Sequence, residues 1–215
     1  MVFTGDEFAD GGSSIQRTLK EKNVKASFFL TGNFYRNKSF YNIINELKAD
    51  GHYLGAHSNK HLLYCDWQKR DSILVTEREF RSDLLANYKE MERFGVFKKD
   101  AEYFLPPYEW YNQQISDWTK VQKLQLINFS PGTRSNADYT YPELGKAYRS
   151  SDEILKSIKR YNETNSKGLN GFILLLHIGT DPRRTDKFYN HLGELITYLQ
   201  QNGYYLTRID DLLNH

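Results

Sequence analysis

Short apolar runs alternate with stretches of helical periodicity along nearly all of the 215 residues, and this alternation constrains the fold more than any other feature. Val2–Thr4, Ala26–Leu30, Tyr53–Ala56, Tyr103–Leu105, Gln125–Asn128, Phe172–His177 and Tyr204–Thr207 read as strands. Between them Ser13–Glu21, Phe40–Asp50, Glu77–Phe94, Asn112–Gln122, Ser151–Tyr161 and Thr185–Gln201 read as helices, with Ser151 before Asp152-Glu153 as a start signal and Gly203 after Gln201-Asn202 as a stop. Strands alternating with helices predict an α/β fold with a mostly parallel sheet. The length suits one domain spanning residues 1–215, with a sizeable core. The longest irregular stretch, Ser130 to Arg149, is where substrate contacts are expected.

Within this frame the run His57-Ser58-Asn59-Lys60-His61 carries the most chemistry. Two imidazoles four residues apart share one face of a helical turn and can grip one divalent cation. Ser58 occupies the position where a zincin carries its glutamate base, so a base must come from elsewhere. Asp6-Glu7, at the end of the first strand candidate, supplies carboxylates. Lys and Arg number 29 against 27 Asp and Glu, and the net charge of +2 gives no electrostatic case for nucleic acid. Mean hydropathy is −0.70, and no apolar run reaches the ~18 residues of a spanning helix. The single Cys65 cannot form an internal disulfide and does not decide the compartment.

Taken together, these segments resemble the polysaccharide deacetylases with the NodB homology domain, carbohydrate esterase family 4. Thr4-Gly5-Asp6-Glu7 stands where that family has Thr-Phe-Asp-Asp, and Ala26 to Gly32 matches its second strand and turn. Gly51 to His61 reproduces its His-Ser/Thr-x-x-His motif with the preceding Gly-His, while Pro106-Pro107-Tyr108 and Leu175-Leu176-His177 follow in the family's order. The resemblance implies a distorted (β/α) barrel of about seven parallel strands. It implies His57, His61 and Glu7 as ligands of a divalent metal, zinc first and nickel or cobalt next, with Asp6 as general base and His177 as general acid. It also implies the Tyr108 N–H at the oxyanion, and Leu175, on the His177 face of its strand, beside the acetyl methyl group. Trp110, Tyr108, Tyr111 and Tyr139 are placed to stack on sugar rings. The expected partner is an acetylated oligo- or polysaccharide. The family implies an extracellular or periplasmic location; no signal peptide precedes Met1, and the very short first strand points to an excised domain or a late start.

Departures from the pattern set the open questions. Glu7 replaces the usual aspartate, and its extra methylene moves the carboxylate outward. Leu105 replaces the arginine that orients the catalytic aspartate; Arg134 or Arg183-Arg184 are the candidate replacements. Asp138-Tyr139 matches loosely the Asp-Trp that supports the catalytic acid, with Asp181 as another candidate. His52 is expected to be structural, and His191 and His215 carry no role. Three functions fit the residues: a metal-dependent carbohydrate deacetylase, a degenerate carbohydrate-binding module on the same barrel, and a hydrolase of a non-sugar amide or imide.

Overall fold

The structure, a computed structural model, describes residues 1–214; His215 lies outside them. Six parallel strands form one sheet: β1 (Val2–Gly5), β2 (Ser27–Leu30), β3 (Tyr53–Ala56), β4 (Tyr103–Phe104), β5 (Gln125–Leu126) and β6 (Leu175–His177), in the order β5-β4-β3-β2-β1-β6. Every residue of β1, β2 and β3 is buried, as expected of a parallel sheet covered on both faces. Phe3 and Phe28 stack at 4.9 Å between ring centres on neighbouring strands, each fully buried aromatic contributing roughly 1.5–3 kcal/mol.

Helices cover the sheet: α1 (Gly12–Glu21), α2 (Gly32–Arg36), α3 (Tyr41–Ala49), α4 (Glu77–Glu92), α5 (Gln113–Val121), α6 (Ser151–Thr164), α7 (Leu192–Gln201) and α8 (Ile209–Leu213). α4 begins with a capping box in which Thr76 and Glu79 satisfy each other's backbone N–H, and α6 begins the same way with Ser150 and Glu153. The cap of α6 is therefore Ser150, one residue before the expected Ser151. Between the edge strands β5 and β6 the sheet is not closed by a strand pair among the described residues. Ser130 bridges toward the segment before β6, its N–H donating to Ile173 O and its hydroxyl accepting from the Ile173 N–H, both at 3.0 Å.

Three expectations change. Tyr204–Thr207 forms no strand. Tyr204 instead turns inward, its hydroxyl donating to Asn162 and accepting from the Leu169 N–H, while Tyr205 is 91% exposed. Residues 185–191 do not extend α7, because Asp186 accepts from the Ser151 N–H and Lys187 is tied to Asp10 and Thr180. His57 to His61 is irregular, with Ser58 and His61 at φ 74° and 55°.

Candidate active site

Five strands deliver chemistry at their carboxyl ends, the rim where ligands meet parallel α/β sheets. Thr4 of β1 is in register with Phe29 and with His177. Asp6 and Glu7 thus leave the sheet beside His177, while His57 leaves β3 and Tyr108 follows β4. At Gly5 a Cβ would lie 2.6 Å from Ile178 Cγ2, and at Gly179 it would lie 2.3 Å from the Phe8 carbonyl carbon. Close packing at these two glycines lets the segments that carry Asp6 and His177 line one cleft.

The two imidazoles meet without a helical turn. Helix α4 holds their loop: Asp83 accepts from Ser58 Oγ at 2.8 Å and from the N–H groups of Asn59 and Lys60 at 2.7 and 3.1 Å. One turn further on, Asn87 accepts from the His57 N–H at 3.0 Å and donates to Leu30 O at 3.2 Å. The left-handed Ser58 turns successive N–H groups inward, a nest that the Asp83 carboxylate fills. The His57 and His61 ring centres stand 5.1 Å apart. His57 Nδ1 lies 2.7 Å from the Leu105 carbonyl oxygen, which fixes the Nδ1–H tautomer and leaves Nε2 with a free lone pair. Burial lowers the pKa of His57 and His61, although Asp6 pulls His61 back up. Both rings are neutral near pH 7 and competent as ligands.

Asp6 Oδ1 accepts from Thr31 Oγ1 at 2.7 Å and from Asn33 Nδ2 at 3.1 Å. Arg36 stands one step behind, donating to Asn33 Oδ1 at 2.7 Å and to Asn59 Oδ1 at 2.5 Å. The partners of Asp6 are thus neutral, and the cation behind them is Arg36 rather than any of the three arginines named from the sequence. Arg184 is fully buried and ties Thr140, Arg149 and Ser151 together; Arg183 pairs with Asp181 and lies 4.0 Å above the Tyr141 ring. Arg134 turns the chain into residues 135–139 at φ 56°. Glu7 is exposed on the cleft rim and its carboxylate has no hydrogen-bond partner among the described residues.

For a divalent metal, the two histidines fit and a third protein donor is not assembled. Among the described residues no three His, Cys, Asp or Glu side chains converge in ligand geometry. The buried hydroxyl of Thr4, on the cleft wall, also has no protein partner.

Across the cleft, His177 is wired to the long loop. Its Nδ1 lies 2.6 Å from Asp138 Oδ1, and its backbone N–H donates to Asp138 Oδ2 at 2.8 Å. Asp138, not Asp181, is therefore its partner. Burial alone would lower the pKa of His177, but the Asp138 carboxylate, assisted by Glu109, raises it above the ordinary value. The Tyr139 ring centre is 5.1 Å from that of His177, with Tyr139 48% exposed. The Tyr108 N–H has no acceptor among the described residues and is available to an oxyanion. Its ring packs at a tilt against His61, with ring centres 4.4 Å apart.

Three expected substrate contacts do not line the cleft. Trp110 sits behind the wall, with Arg70 4.2 Å above its ring and its Nε1 donating to Asp66 O. Trp67, 55% exposed, takes the cleft position instead. Leu175 has no exposed surface and packs into the core. Tyr111 packs against the core and beneath Arg70. His52 accepts from the Ala26 N–H at 3.1 Å and is pushed down to about 4, chiefly by burial, a strand-anchoring role.

Glu109 is the residue that sequence patterns missed. Tyr108 and Glu109 are both left-handed, at φ 58° and 55°, a conformation unusual for non-glycine residues and a mark of functional sites. Asn128 donates to the Glu109 carbonyl at 2.8 Å and fixes the turn. The side chain faces a cleft of about 660 Å³ shared with Asp6, His57, His61 and His177. Desolvation, reinforced by Asp138 against the pull of His177, raises its carboxyl to about 7.

A parallel α/β sheet thus carries paired neutral histidines, a carboxylate and a carboxylate-backed histidine at its carboxyl rim, a set of groups suited to acid–base chemistry. The polysaccharide deacetylase family model matches residues 6–127, and the chain belongs to that family. A peptidoglycan-N-acetylglucosamine deacetylase of Bacillus cereus is 26% identical over 115 residues, 54% of this chain and 38% of the relative. A carbohydrate esterase family 4 pseudoenzyme from Bacillus anthracis superposes with TM-score 0.73 at 19% identity, covering 99% of this chain and 63% of its own. A peptidoglycan N-acetylglucosamine deacetylase in complex with an N-hydroxybenzamide superposes with TM-score 0.75 at 20% identity, covering 99% and 86%. The chain spans about half or less of the length of the curated relatives it matches. Among the described residues no helix is long and apolar enough to cross a membrane.

Proposed function

We propose that this chain is a hydrolase that removes acetyl groups from N- or O-acetylated carbohydrate outside the cytoplasm. The observation that carries the reading is His177, held by the buried Asp138 at 2.6 Å and facing the cleft that contains Asp6 and the paired neutral imidazoles. His57 and His61 would hold a divalent cation, zinc first among candidates, and Glu7 is the residue that would complete the set as third ligand. Such an ion, when bound, supplies Lewis acidity toward the acetyl carbonyl and lowers the pKa of water. The chain's own residues divide the remaining work. Asp6, steadied by Thr31 and Asn33, takes the proton of the attacking water. His177, protonated with Asp138 at its back, gives a proton to the departing nitrogen or oxygen. The free Tyr108 N–H donates to the carbonyl oxygen as negative charge develops. Tyr108, Trp67 and Tyr139 offer ring faces to a sugar.

Acetate release from N-acetylchitooligosaccharides, peptidoglycan fragments and acetylated xylan tests this reading. A chelator abolishes release, and Asp6→Asn and His57→Ala are inactive while folded by circular dichroism. Unchanged release after rigorous metal removal refutes the metal role. A second reading, a carbohydrate-binding domain without turnover, is favoured by Glu7 lying outward and by neutral donors at Asp6. It predicts glycan binding that survives His177→Ala, with no acetate from any substrate.

A further inference from the structure

A second groove, of about 810 Å³, opens beside the catalytic cleft. Glu7, Phe8 and Thr180 line both, so the two hollows lie on either side of a shared wall at Glu7-Phe8. The far side of the groove is built from the start of α1 and one face of α3. Asn42 and Glu46 sit one turn apart on α3 with Ile43 between them, and Ser13 faces them from α1. Phe40 and Pro182 complete an apolar floor.

The chemistry of this lining restricts its ligand. The side chains of Ser13, Asn42 and Glu46 have no hydrogen-bond partner among the described residues, and all three are acceptors or can both donate and accept. Lys187, the groove's cation, is already engaged by Asp10 at 2.9 Å and by Thr180. With Glu7, Asp10 and Glu46 on the walls and Lys187 neutralised, the groove repels phosphate and other anions. A half-buried phenyl ring beside a row of open acceptors and amides suits a neutral pyranose, which has apolar C–H faces and a belt of hydroxyl groups. Both volumes fall within the ~300–1,000 Å³ typical of small-molecule sites.

We propose that this groove is a second saccharide subsite, holding sugar units of the same glycan whose acetyl group lies in the catalytic cleft. This rests on the deacetylase reading and deepens it, because it makes the substrate a chain of several sugars that crosses the Glu7-Phe8 ridge. Asn42 and Glu46 are exposed helix positions outside the catalytic machinery, so their replacement by alanine leaves the fold intact.

The test compares the Asn42→Ala/Glu46→Ala double variant with the parent on N-acetylated chitopentaose and di-N-acetylchitobiose, with acetylated xylopentaose and xylobiose as a parallel pair. Loss of two hydrogen bonds lowers kcat/KM on the pentamer roughly 5- to 50-fold and leaves the dimer within twofold. Equal loss on both lengths, or no loss on either, overturns the proposal. If neither pentamer is turned over, the deacetylase reading fails separately and binding decides: backbone NMR shifts at Ser13, Asn42 and Glu46 on adding either pentamer support the subsite. Shifts confined to the catalytic cleft, or none, overturn it.

Discussion

Replacing Glu109 by glutamine removes a titration that the fold perturbs strongly while conserving shape. In the folded protein its carboxyl holds a proton up to about 7, against an ordinary value of 4.5, because the turn at Tyr108-Glu109 takes it out of water near the Asp138 carboxylate. In the unfolded chain the proton leaves near the ordinary value. Between these pH values the folded state binds more protons than the unfolded state, so stability falls as pH rises through the interval. The span from 4.5 to about 7, at roughly 1.4 kcal/mol per pH unit, puts about 3 kcal/mol in play. Glutamine does not titrate, so the variant is nearly as stable as the parent at pH 4.5 and more stable by up to about 3 kcal/mol at pH 8. Urea unfolding followed by tryptophan fluorescence, with chelator present and the slope of the transition checked for constancy, measures the difference. Groups common to both proteins, including Asp181, His57 and His61, cancel to first order. His177 does not, and its imidazole NMR titration moves downward in the variant because Glu109 helps to raise it. A stability difference that is flat between pH 4.5 and 8, or that grows toward acid, refutes the assignment of a desolvated, proton-holding Glu109.

Two further outcomes follow from the buried carboxylates. Asp83→Ala leaves the Ser58 hydroxyl and the Asn59 and Lys60 N–H groups without their acceptor, and destabilises the protein by about 3–5 kcal/mol; a shift of the urea midpoint equivalent to under 1 kcal/mol would show that the nest does not depend on it. Asp138→Asn removes the charge behind His177, lowering its imidazole pKa by NMR and acetate release by roughly 10²–10⁴-fold; full activity with an unmoved His177 titration would exclude the pair from the chemistry.

Several site features were legible from local spacing. His57 and His61 come together, yet through a loop with left-handed residues rather than through a helical turn. The convergence was readable and its cause was not, because the anchors Asp83 and Asn87 belong to a helix 23 to 30 residues away. Asp138 was visible as a loose motif match inside the long loop, and its 2.6 Å contact to His177 across 39 residues selected it over the nearer Asp181. Glu109 carried one usable signal, a bulky acid directly after Pro107-Tyr108 where the chain must turn sharply, but desolvation depends on what closes over it. Trp110 was expected at the cleft, but Trp67, whose ring centre lies 5.8 Å away, takes that place, because which of two packed indoles is outermost depends on the segments behind them.

The alternation of strands and helices, the order of the strand-end motifs and the family were all readable in the chain before folding. These follow from periodicity and from residues a few positions apart, which are short-range properties of the chain. Tertiary structure alone decided that Leu105 contributes its backbone carbonyl to His57 across 48 residues, that Thr31 and Asn33 steady Asp6, and that Glu7 stands on a ridge between two hollows. Hydrogen bonding, burial and charge at a site depend on which distant segments the packed sheet brings to one rim. The apolar core that fixes that packing is shared among all six strands and is not written in any one of the motifs.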